Sequence, residues 1–78
     1  MTEHAGFSMP LSMCKAGETV HVVRVKGAES MKRHLGNLGF VEGAEVHVVN
    51  QTAGDIILTV KGARLGLDAK SAMRVMVA

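Results

Sequence analysis

The sequence predicts a mainly β domain: about five short strands forming a small barrel or sandwich, with one short helix inserted after the first strand. Three observations carry this. Segments rich in Val, Ile, Leu and Thr, namely TVHVVRVK (19–26), EVHVVNQ (45–51) and IILTV (56–60), recur between glycine-marked turns, the pattern of short paired strands. A single stretch, ESMKRHLGNL (29–38), shifts to a helical period, with Met31, Leu35 and Leu38 at i, i+4 and i+7. The 78 residues are 47% hydrophobic, yet Phe7 and Phe40 are the only aromatic side chains. One modest core of Val, Leu, Ile, Met and Ala follows, in one domain.

Taken in order, residues 1–9 (MTEHAGFSM) are polar, lack periodicity and read as a loose arm, leaving 10–78 as the folded domain. Ala16-Gly17-Glu18 marks a turn into the first strand. Alternation slips there between Val22 and Val23, which implies either a bulge or burial on both faces. Gly27 breaks the strand. Ser30 or a neighbour caps the helix that follows. Lys32 and Arg33 project from its polar side, and His34 borders the apolar stripe. After the strand at 45–51, TAGD (52–55) reads as a four-residue hairpin loop. Lys61-Gly62 turns the third strand into a fourth, in which Ala63, Leu65 and Leu67 share a face. Asp68 caps a single helical turn through Met73, and Val75 and Val77 form a short last strand.

The stretch RHLGNLGFVEGAEV (33–46) contains three glycines. Gly39 follows the last periodic residue, where a left-handed residue ends a helix. Gly43 precedes the next strand, where a tight turn favours positive φ. Gly36 falls inside the helix at a cost of about 1 kcal/mol against Ala, which leaves room for a close approach by another backbone or a partner. A phosphate-binding loop has the opposite order, strand then glycines then helix. Here the glycines close a helix, and its negative dipole end points outward. Gly27, Gly39, Gly43 and Gly62 are therefore read as structural turns.

Composition narrows the function. Net charge is +2, without runs of like charge, and base-stacking aromatics are missing, so a nucleic-acid partner is not expected. The lone Cys14 permits no intrachain disulfide and fits a reducing compartment. No apolar run approaches the roughly 20 residues of a membrane helix. Met1 to Ser8 carries Glu3 and lacks the apolar stretch of a secretory signal. A cytoplasmic chain without membrane insertion is expected. His4, His21, His34 and His47 are scattered, with no CxxC or HxxxH spacing. Met9, Met13, Met31, Met73 and Met76 suit core gaps or adaptable interfaces better than a soft-metal site. No metal site or cofactor is expected, and weak Fe(II) or other transition-metal binding finds no support in ligand spacing. Asp55 and Asp68 are explained by a turn and a cap, so no catalytic residue is assigned and an enzyme is not expected.

In order and spacing, MPLS, AGETVHVVRVKG, LGNLGFVEGAEVHVV, GDIILTVKGARLGLD and AMRVMV resemble the FeoA family, small proteins of bacterial ferrous iron transport, from Met9 to Val77. The resemblance implies an SH3-like β-barrel. It also implies a non-catalytic cytosolic accessory of FeoB, a membrane ferrous iron transporter with a GTP-binding domain. Related domains are fused to metal-dependent repressors, so a transition-metal-responsive regulatory module is the alternative. The chain departs from the family in carrying Glu42 where proline is common before Gly43, a helix with fewer arginines, Gly66 where alanine is usual, and the extra arm.

An FeoB-like partner would meet the inserted helix and the turn after it. The expected contact residues are Met31, Arg33, His34, Leu38, Phe40 and Val41. Phe40 fits two roles, a core plug or an exposed aromatic anchor. Exposed strand edges make a homo-oligomer a further expectation.

Overall fold

A computed structural model describes residues 7–78. The chain forms six strands: β1 (Met9–Pro10), β2 (Thr19–Val25), β3 (Glu45–Thr52), β4 (Asp55–Val60), β5 (Ala63–Asp68) and β6 (Val75–Val77). Helix α1 (Glu29–Asn37) lies between β2 and β3, and α2 (Ala69–Ala72) between β5 and β6. A 3-10 turn, Leu11–Met13, follows β1. All pairings are antiparallel, in the order β1-β6-β2-β3-β4-β5.

The sheet curls because β2 serves two neighbours. Its first half, Thr19 to His21, pairs with β3, and Val22 to Val25 pairs with β6. Val22 faces Val77 while Arg24 faces Met76, so Val23 is an extra residue in the ladder. The slipped alternation at Val22-Val23 is therefore a bulge, which adds twist and turns the strand from one neighbour to the other. A second irregularity between Val48 and Asn50 bends β3 against β4. Inward residues from β2 to β6, with Leu11, Cys14, Leu35, Phe40 and Ala72, meet in one core. No charged or polar residue is buried among the described residues, so packing alone holds this interior.

Several expectations are corrected. Six strands form rather than about five, and α1 follows the second strand. The added strand is β1, where Met9 and Pro10 face Val77 and Met76. Met9 thus belongs to the sheet rather than to the expected arm 1–9, of which residues 1–6 lie outside the described residues. Proline is tolerated on this edge because an outward position needs no N–H. The TAGD loop is shorter than expected. Thr52 pairs with Asp55, leaving a turn of Ala53 and Gly54. Ser30 does not cap α1: Ala28 is the extended residue before the helix and offers no side-chain bond. Asp68 does cap α2, its carboxylate accepting the Ser71 N–H at 3.4 Å. The methionines divide: Met76 is buried, Met9 and Met31 pack beside the core, and Met13 and Met73 are exposed.

Cys14 closes the barrel below the 3-10 turn, and its carbonyl accepts a hydrogen bond from the Gln51 side chain. Burial, with the Glu18 carboxylate adding to it, pushes its thiol above the ordinary value of 9.0. The native state therefore holds this proton more tightly than the unfolded chain. That contribution is complete below pH 9 or so and is lost as pH rises through the raised native value. Urea unfolding is expected to show stability falling above about pH 9, and Cys14→Ala is expected to remove that part of the slope. An unchanged slope in the variant would show that the thiol does not set it.

Candidate functional site

Helix α1 is short and has little intrinsic support. Its one ion pair among the described residues, Lys32 with Glu29 at 3.8 Å, joins two well-exposed side chains and contributes about 0.3 kcal/mol. The helix is held instead by one apolar edge. Leu35 is fully buried and Met31 half-buried against the core.

The helix end is held by backbone hydrogen bonds. Phe40 N–H donates to the Leu35 carbonyl at 3.1 Å, and Gly39 N–H donates to the Gly36 carbonyl at 3.0 Å. These two bonds define a Schellman cap with Gly39 as its left-handed residue, φ 113°. A side chain at Gly39 would strain this backbone and meet Lys61 Cγ at 3.0 Å. The cap places Leu35 and Phe40, the apolar pair that brackets it, together in the core. A four-residue turn follows: Ala44 N–H donates to the Val41 carbonyl at 2.9 Å, with Gly43 at φ 86°. Gly43 N–H and the Ala44 carbonyl also bond Val22, tying the turn to the bulged region of β2. Gly27 and Gly62 likewise have positive φ.

Six residues were expected at a partner surface, and the structure divides them. Phe40 is 2% exposed and is a core plug, not an anchor. Met31 is half-buried. Arg33 and His34 are exposed on α1. Leu38 and Val41 flank the cap at 36% and 44% exposure. What remains is a small apolar step, Leu38 and Val41, beside the exposed Lys61, with Arg33 and His34 on the adjoining helix. Lys61, legible in the sequence only as part of a turn, reaches this place through the β4–β5 turn. Gly36 has open space where a side chain would point, so no internal contact accounts for it.

The other candidates lie apart from this step. Pairing of β2 with β3 sets exposed His21 opposite Glu45, and His47 opposite Thr19. The Thr19 hydroxyl and His47 Nδ1 are 2.8 Å apart. No three His, Cys, Asp or Glu side chains among the described residues are placed to hold a metal ion, and His4 lies outside those residues. A groove of about 550 Å³ runs between Phe7, Ser8 and Met9 on one side and Glu18 to His21 on the other. It contains none of the six expected contact residues. No helix among the described residues is long and apolar enough to cross a membrane.

Two substitutions test the cap. Gly39→Ala is expected to cost about 2 kcal/mol, and Phe40→Ala about 3–5 kcal/mol, in urea unfolding. Gly36→Ala is expected to stabilise by up to about 1 kcal/mol, because nothing fills the space beside it. A neutral Gly39→Ala would mean that the left-handed cap is not a constraint.

Comparison with known proteins agrees with this architecture. A solved structure described as an iron uptake regulatory protein, FeoA, is 32% identical, with a TM-score of 0.85 over 92% of this chain and 96% of its own. FeoA of Stenotrophomonas maltophilia, solved with zinc, is 30% identical, with a TM-score of 0.77 over 90% of this chain and 89% of its own. That protein is described as an SH3 domain protein and a candidate activating factor of bacterial ferrous iron transport. A manganese-dependent transcriptional repressor, 24% identical, shares the fold, with a TM-score of 0.83 over 91% of this chain and 40% of its own. The FeoA domain model matches residues 9–78, and the chain belongs to the FeoA family.

Proposed function

We propose that this protein is a non-enzymatic cytosolic accessory of ferrous iron uptake, and that it docks on an FeoB-like transporter through α1 and the turn into β3. Family membership supports the process. The observation that carries the docking surface is the exposure of Leu38 and Val41 on either side of a rigid cap. Apolar side chains fixed on a constrained backbone lose little entropy when a partner covers them. Lys61 adds positive charge beside the step, suited to an acidic partner surface. Phe40 supports the step from beneath and makes no contact of its own.

The test is binding of the purified chain to the full-length transporter, with and without a GTP analogue. Leu38→Asp with Val41→Asp is expected to weaken binding at least tenfold, about 1.4 kcal/mol, while the thermal unfolding midpoint stays near that of the parent. Unchanged binding by this folded variant would remove the surface from consideration. No binding in either nucleotide state would sink the docking reading itself. Equilibrium dialysis with Fe(II) would then decide the alternative, a metal-responsive regulatory module.

A further inference from the structure

Strand β5 is the outer edge of the sheet, with β4 on one side and no strand on the other among the described residues. Its ladder to β4 fixes which backbone groups are free. Val60 and Ala63 flank the two-residue Lys61-Gly62 turn, and a pair in that position exchanges hydrogen bonds. Bonding then alternates, so Ala63, Leu65 and Leu67 bond to β4 while Arg64 and Gly66 point N–H and C=O away from the sheet; Asp68 points its N–H the same way, and its C=O opens α2. The same three residues are exposed, and Leu67 faces the core. An edge with free donors and acceptors is a template for another strand.

We propose that β5 pairs antiparallel with β5 of a second copy of this chain, with Gly66 on the two-fold axis. Charge selects both the occupant and the register. Centred on Gly66, Arg64 of each copy faces Asp68 of the other, and Leu65 faces Leu67, so opposite charges meet twice on the solvent face and leucines meet on the inner face. Other registers lose this match. Centring on Arg64 or Asp68 sets like charge against like, and centring on Leu67 brings Arg64 against Lys70. Centring on Leu65 leaves Arg64 opposite Gly66, without a partner charge. Gly66 presents no side chain at the two-fold axis, so nothing crowds the solvent face there. A pairing of six residues buries little surface, so the dimer is weak, dissociating at roughly 10 µM to 1 mM.

The register can be read directly. In the proposed dimer residues 64 and 68 of opposite copies lie about 5.5 Å apart, whereas each lies roughly 14–15 Å from its own equivalent. Arg64→Cys and Asp68→Cys chains, each verified as folded by circular dichroism, are treated with a short bis-maleimide, alone and mixed. Cys14 is 1% exposed and does not compete. Cross-linked dimer is expected in the mixture and not in either variant alone. Sedimentation equilibrium of the parent chain is expected to show mass rising with concentration, and Arg64→Asp to weaken association about tenfold. A monomer throughout that range overturns the proposal and leaves the edge to a strand from another protein. A dimer whose mixture does not cross-link, or which is indifferent to Arg64→Asp, overturns it as well.

Discussion

Leu35 and Phe40 meet in the core because Gly39 reverses the chain between them. This one left-handed residue joins the helix to the barrel. On its helical side it leaves the last carbonyls bonded to Gly39 and Phe40 N–H groups. On its barrel side it lies against Lys61 and Val60, close enough that a methyl group would press on the Lys61 side chain. An α-helix of nine residues is too short to persist alone in water. Its position depends on Leu35 and Met31 packing inward and on the cap that locks its far end. The bonds from Gly43 and Ala44 to Val22 then fasten the same segment to the central strand.

This arrangement relates fold to function. The barrel core is wholly apolar apart from the Cys14 thiol, so it specifies shape without chemistry. The inserted segment carries what is distinctive: an apolar step on a backbone that has little freedom left, with cationic side chains nearby. A surface of that kind suits recognition better than catalysis. It can be altered at Leu38 and Val41 without opening the core. The sheet edge at β5 begins just past Lys61, so the two proposed surfaces adjoin at the β4–β5 turn while drawing on different residues.

Much of this was legible in the sequence because local chemistry and fold agree. β-branched runs gave β2, β3 and β4, the i, i+4, i+7 spacing gave α1, and the slip at Val22-Val23 left a bulge or burial on both faces open, which the pairing with β6 resolves as a bulge. The glycine order points to the cap at Gly39. What escaped was either too short or too distant. Met9 and Pro10 cannot show alternation in two residues, and their pairing is decided by β6, far along the chain. The boundary at Ala28 is set by backbone conformation without a side-chain signal. Phe40 was ambiguous because an aromatic after a helix stop fits burial and exposure equally, and the cap bonds settle it. Lys61 joins the surface through a turn between β4 and β5 whose packing against Gly39 no local pattern encodes.

The account rests on the α1 cap region being the surface that a transporter covers. Hydrogen exchange of the chain, free and bound to the full-length transporter, measures this most directly. The expected result is slowed exchange confined to amides of α1 and the 38–43 turn, with β5 and the Phe7–Met9 groove unchanged. Protection at those other surfaces, with the cap region exchanging as in the free chain, would contradict it.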